Sequence, residues 1–154
     1  MAREGLRVPA AAAAVWNGDA NRLPLTAHGF GFEWRGLLGL ADPLRAGVRE
    51  AVAEAQAAGV RVIMLTGDHL ETARAIATQA GLANSGEVLL GSELALDGAA
   101  LTHHAREINV FARVKPDHKL RLVDALKRDG QVVAMTGDGV NDAPALTAAH
   151  VGVA

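Results

Sequence analysis

VRVIMLTGDHLETARAIATQAG, Val60 to Gly81, is the stretch that decides the fold. Val60 to Leu65 is β-branched and apolar, the composition of a strand. After a short polar loop, His69 to Ala80 sets Leu70, Ala73, Ile76, Ala77 and Ala80 at helical spacing and stops at Gly81, a natural residue just past a helix end. A period that changes from strand to helix within a few residues marks a β-loop-α unit.

The same alternation extends in both directions. Upstream, Val48, Ala51, Val52 and Ala55 form one apolar helix face that ends at Gly59, and GLLGLA (Gly36 to Ala41) predicts a short buried strand. Downstream, Glu87 to Leu90 and Asn109 to Ala112 predict strands separated by a helix around Ala99 to Arg106. Pro116 opens a helix carrying Leu120, Val123 and Leu126, which Gly130 closes before the strand Gln131 to Met135. VGVA, Val151 to Ala154, predicts a final strand. Strands alternating with helices imply an α/β fold whose mainly parallel sheet is joined by right-handed helical crossovers. Residues 1–31 read as a poorly specified lead-in, punctuated by Asn17-Gly18-Asp19 and Asn21, and residues 32–154 as the α/β domain.

Composition excludes several function classes. A formal charge of -2 from 15 Lys plus Arg against 17 Asp plus Glu leaves no electrostatic footprint for nucleic acid. Cysteine is absent, which removes disulfides, thiolate nucleophiles and Cys-based zinc sites and suits a reducing, cytoplasmic setting. The apolar run Val8 to Trp16 is far short of the ~20 residues that cross a bilayer. A soluble chain is the expectation.

Three loops fall at strand C-terminal ends, where open α/β sheets build ligand crevices. In TGDH (Thr66 to His69), Asp68 followed by Glu71 fits a capping box, whereas Thr66 and Gly67 offer a hydroxyl and an unobstructed N–H suited to a phosphoryl oxygen. VKPDHK (Val114 to Lys119) crowds cations into a first helical turn, where the macrodipole disfavours them. Lys115 and His118 read as a solvated basic turn; Lys119 fits that reading and an anion-binding one equally. TGDGVND (Thr136 to Asp142) supplies two hard carboxylates, Asp138 and Asp142, between turn-forming glycines. Such a pair suits Mg²⁺, which is held by one or two carboxylates plus waters and substrate phosphate, and it equally suits an Asp-Gly turn followed by an Asx helix cap. His103 and His104, adjacent on a helix, face different directions and make a poor metal pair.

Together, ADPLR (Ala41 to Arg45), MLTGDHLETARAIA (Met64 to Ala77), FARVKPDHKLRLV (Phe111 to Val123) and MTGDGVNDAPAL (Met135 to Leu146) resemble the phosphorylation domain of P-type cation-transporting ATPases of the calcium, sodium-potassium and proton-pump branch, within the haloacid dehalogenase-like superfamily. The resemblance implies a Rossmann-like three-layer fold, here incomplete. It makes Asp138 a Mg²⁺ ligand with Asp142 assisting. Thr66 is then a hydrogen-bond donor to the phosphoryl group, Gly67 and Asp68 the rest of that loop, Lys119 its neutralising charge, and Asn141 a contact to the same centre. Asp42 and Arg45 are placed near the hinge and the incoming ATP, and residues 1–31 resemble the end of a nucleotide-binding domain.

The family's nucleophile, the aspartate of an Asp-Lys-Thr-Gly-Thr motif, does not occur in these 154 residues. The expectation is therefore part of a phosphorylation domain that is inactive alone, works with the nucleotide-binding and membrane domains of a pump at the cytoplasmic membrane face, and carries an unpaired sheet edge that predicts self-association. Two alternatives stand beside it. One is a soluble Mg²⁺-dependent phosphatase using Asp42 as nucleophile, and the other a non-catalytic module that binds Mg²⁺ or phosphate.

Overall fold

The computed structural model describes residues 1, 4–95 and 98–154. An antiparallel ribbon of β1 (Ala10–Ala13) and β2 (Glu33–Leu37) comes first, followed by α1 (Val48–Ala57), β3 (Met64–Leu65), α2 (Leu70–Ala80), β4 (Val88–Leu90), α3 (Gly98–Glu107), β5 (Val110–Ala112), α4 (Pro116–Arg128), β6 (Ala134–Thr136), α5 (Ala143–Ala148) and β7 (Val151–Val153). The central sheet is wholly parallel, in the order β3-β5-β4, and β6 pairs in parallel with β7 as a second, two-stranded piece. An α/β fold with parallel sheets and helical crossovers is what the alternating periodicities predicted.

β5 is the middle strand, and its alternation divides the core. Phe111 points to one face, where it meets Leu89, Leu94, Leu122 and Leu126 beneath α3 and α4. Val110 and Ala112 point to the other, against Ala73, Ala77 and Ala80 of α2. Successive strand residues face opposite ways, so three residues of β5 serve two helical layers. A third cluster, Val123, Met135 and Ala145, joins α4 and α5 to β6, with Leu65 and Val133 packed on its border. α4 thus underlies both pieces of sheet.

Arg61, the charged interruption in VRVIML, acts as a clasp. Its guanidinium donates to Asn109 Oδ1 at 2.6 Å, to the Ala105 carbonyl at 2.6 Å and to the Ile108 carbonyl at 2.7 Å. It thereby satisfies carbonyls at the C-terminal end of α3 and ties the approach to β3 to that of β5. Arg106 makes a second tie, a forked ion pair with Asp129 just past α4. Hydrogen bonding to Arg106 holds the Asp129 carboxyl below its ordinary value. A depressed folded value means the stabilisation is present above the unfolded carboxylate range and is lost as pH falls through the folded value. The melting temperature of the parent should therefore exceed that of Asp129→Asn at neutral pH, and the two should converge as pH drops below about 4. A difference that stays constant from pH 7 to 3 would exclude this ionisation as its source.

Two expectations fail in instructive ways. GLLGLA does not form a buried strand of the main sheet: β2 ends at Leu37, pairs antiparallel with β1, and leaves Leu37, Leu38 and Leu40 more than half exposed. An apolar run carries no information about which neighbour it pairs with. The strands expected over Val60–Leu65 and Gln131–Met135 are shortened at their N-terminal sides, to Met64–Leu65 and Ala134–Thr136. Strand structure survives only where β5 or β7 supplies hydrogen bonds.

Candidate functional site

The parallel arrangement gathers three loops at one end of the sheet. Val114 N–H donates to the Thr66 carbonyl and Arg113 N–H to the Asp68 carbonyl, both at 3.0 Å, so the loop after β3 is stitched to the loop after β5. α4 starts directly after that second loop, and from its first turn Lys119 Nζ reaches Asp142 Oδ1 of the loop after β6 at 2.5 Å. The chain of bonds runs from Thr66 through the β5 loop and Lys119 to Asp142.

The Lys119–Asp142 pair is largely buried, with side chains 19% and 10% exposed. It answers the question raised by a cation at a helix N-terminus, because the Asp142 carboxylate supplies the opposing charge. It also removes the capping explanation for Asp142. Asp142 stands at the N-cap of α5, yet its side chain makes no cap hydrogen bond. The glycines of this loop are there for the carboxylate: a Cβ at Gly137 would lie 2.7 Å from Asp142 Oδ2, and one at Gly139 would lie 3.3 Å from it. Asp138 and Asn141, by contrast, are exposed on the same loop.

In the loop after β3, Thr66 Oγ1 donates to Asp68 Oδ2 at 3.2 Å and accepts from Asp68 N–H at 3.1 Å. The cap of α2 is His69, whose Nδ1 accepts from Glu71 N–H at 3.5 Å. The capping box expected of Asp68 is thus replaced by its neighbour, and the Asp68 carboxylate is free to pair with Arg7 Nε at 3.2 Å. His118 corrects another expectation. It is 7% exposed rather than solvated, and its Nδ1 accepts from Lys115 N–H at 3.4 Å. Lys115 is exposed, as a solvated turn requires.

Arg7 was not singled out by sequence reasoning, since nothing local distinguishes it. It reaches Asp68 because the Leu6 carbonyl accepts from Thr72 Oγ1 at 3.1 Å, which lays residues 6–9 along α2 and over the loop after β3. Arg113 is a second residue that sequence did not mark. Its φ of 54° is left-handed, a conformation that costs a non-glycine residue energy and recurs at functional loops. Asp42 and Arg45 lie exposed between β2 and α1, and no hydrogen bond or ion pair joins them to the three loops.

The donor set suits Mg²⁺ in the manner of a site completed by substrate. Among the described residues there is no cluster of three or more His, Asp or Glu side chains able to enclose a metal. Two loop carboxylates, one exposed and one paired to lysine, suit a hard cation that draws its remaining ligands from water and phosphate. The Thr66 hydroxyl and the Lys119 ammonium, bonded here to Asp68 and Asp142, are the kinds of donor that anionic oxygens accept from. Among the described residues, no helix is long and apolar enough to cross a membrane.

The chain matches known proteins over most of its length. Residues 9–150 match the model of a hydrolase family, the haloacid dehalogenase-like hydrolases. The chain is 42% identical to "Calcium-transporting ATPase 1" of Bacillus cereus over 156 aligned residues, which cover 100% of the chain and 17% of that protein. It is 49% identical to "Calcium-transporting ATPase" of Bacillus subtilis and 54% identical to "Probable cation-transporting ATPase F" of Mycobacterium bovis, each match covering 77% of the chain and 14% of the relative. The chain spans about a sixth of the length of these relatives.

Proposed function

Because the chain belongs to the haloacid dehalogenase-like hydrolases and is homologous to cation-transporting P-type ATPases, we infer that it supplies the Mg²⁺- and phosphoryl-binding loops of an ATP-driven cation pump. The observation that carries the inference is the buried Lys119–Asp142 pair, which joins the start of α4 to the loop after β6, while backbone bonds join the loops after β3 and β5. Phosphoryl transfer asks a protein mainly for positioning and for stabilisation of spread negative charge. Thr66 Oγ1 and the Gly67 N–H donate to phosphoryl oxygens, and Lys119 opposes their charge. Asp138 and Asp142 would hold Mg²⁺, which neutralises further phosphoryl charge, with Asn141 and Asp68 completing the loops around it.

On this reading the phosphorylated aspartate and the nucleotide-binding and membrane portions would be supplied by the rest of a pump. The pump places this domain at the cytoplasmic face of a membrane. Asp42 is a poor substitute nucleophile, exposed and without a bond to the three loops.

The test is Mg²⁺-dependent hydrolysis of a phosphate monoester and of ATP by the purified chain, alongside Asp138→Asn and Asp42→Asn, with Mg²⁺ affinity measured by titration calorimetry. Weak Mg²⁺ binding that Asp138→Asn reduces about tenfold, with hydrolysis at background, is expected. Turnover that Asp42→Asn abolishes would replace the pump assignment with a self-contained phosphatase.

A further inference from the structure

His118 is a buried polar group that the phosphoryl-binding loops do not use. It is 7% exposed, stands one residue before Lys119, and occupies the third position of α4. In a capping box the side chain at that position, commonly Glu or Gln, accepts from the backbone N–H of the residue at the helix cap. Here an imidazole does so: His118 Nδ1 accepts from Lys115 N–H at 3.4 Å. Since Nδ1 accepts, the ring carries its proton on Nε2, which faces the Asp117 carboxylate at 3.6 Å.

The ring is also held from outside its own helix. A Cβ at Gly91, which opens the turn after β4 (Gly91–Ala95), would lie 2.7 Å from His118 Nδ1 and 2.4 Å from the Arg113 carbonyl oxygen. Glycine lets three segments close on that point: the turn after β4, the loop after β5 and the first turn of α4. Leu94 of the same turn is fully buried in one core cluster with Leu122, a helical turn beyond His118. Through the loop after β5 the packing is continuous with Thr66 and Asp68, whose carbonyls accept from Val114 and Arg113.

From this packing we propose that His118 is a positioning residue for Lys119. Its imidazole fixes the first turn of α4 against the turn after β4, and so sets the direction from which Lys119 reaches Asp142. The consequence for phosphate rests on the phosphoryl-site reading above. Placement is at stake more than stability, because Lys115 is exposed and water can take over the bond its N–H would lose. An apolar side chain of similar size fills the space without accepting, and leaves the turn free to shift. Gln supplies the neutral acceptor that ordinary capping boxes use.

The test uses the 154-residue chain with His118→Leu, His118→Gln and Gly91→Ala. Hydrogen exchange of the backbone amides and of the Lys119 ammonium is followed by NMR, and inorganic phosphate is titrated in the presence of Mg²⁺. In His118→Leu the Lys115 amide and the Lys119 ammonium should exchange about fivefold to tenfold faster, the equivalent of one hydrogen bond, with the Val110 and Phe111 amides unchanged. Phosphate affinity should fall by a similar factor. His118→Gln should hold both readouts within about twofold of the parent. Gly91→Ala leaves His118 in place, presses on its ring and should reproduce the faster ammonium exchange, so a His118→Leu chain that does not fold still leaves the proposal open to refutation. An ammonium equally protected in the parent and in both disruptive variants would overturn it, and so would a loss that His118→Gln shares. Faster exchange at Val110 and Phe111 in step with the ammonium would reduce His118 to a residue that holds the fold, and would overturn the proposal as well. Ammonium protection in the expected order, in a chain that binds no phosphate, would uphold the positioning and remove the phosphoryl assignment.

Discussion

Lys119→Met is expected to lower the unfolding free energy by about 3 kcal/mol, toward the lower end of what removing one partner of a buried ion pair costs, because the pair retains some solvent contact. The loss arises less from the missing attraction than from the carboxylate left behind. Asp142 Oδ2 is enclosed by Gly137 and Gly139, so the side chain has little room to turn toward water. Replacing both partners, as Lys119→Met with Asp142→Asn, should recover most of the stability, and if the proposed function holds it should also abolish phosphate and Mg²⁺ affinity. Urea unfolding of the four proteins gives the coupling energy directly. A coupling below about 0.5 kcal/mol would mean that the pair behaves like a surface contact and holds nothing in place.

The second large effect is Phe111→Ala, for which a loss of about 3–5 kcal/mol is expected. Phe111 is fully buried at the centre of β5, with β3 on one side and β4 on the other. Truncation there opens a cavity among Leu89, Leu94, Leu122 and Leu126 that helices fixed by the Arg61 and Arg106 ties cannot readily close. Phe111→Leu keeps most of the volume and should cost under about 1.5 kcal/mol. Equal midpoints for the two variants in denaturant would show that the site collapses around the smaller residue and that β5 is not the keystone of the sheet.

Legibility from sequence followed the physical source of each signal. α2 and α4 were readable because Leu70, Ala73, Ile76 and Ala77, or Leu120, Val123 and Leu126, repeat on one face, and β5 because Val110, Phe111 and Ala112 lie between turn signals. Strand pairing was not readable. Gly36 to Ala41 has the composition of a core strand, yet the partner it finds is β1, with its leucines left exposed. The shortened β3 and β6 make the same point, since Val60 and Val132 have the side chains of a strand and lack the neighbour that would make them one. At the site, Thr66, Asp68, Lys119 and Asp142 were legible as residue types on three loops, and the structure joins those loops by hydrogen bonds. Whether Asp68 or His69 caps α2, and whether His118 is buried, depended on contacts from Arg7 and from the Gly91 turn, distant in sequence. Asp42 and Arg45, placed by resemblance to family segments, find no bond to the site in this chain.

α4 has one further consequence. It carries Lys119 at its first turn and lies under both pieces of sheet, with Leu122 and Leu126 in the core of one and Val123 in the core of the other. Were the two pieces of sheet to change their angle, α4 is the shared contact through which a ligand at its N-terminal end would be linked to that change. If the affinity for that ligand differs between two angles by a factor of ten, binding shifts the balance between them by about 1.4 kcal/mol, and a force that sets the angle must change the affinity by the same factor.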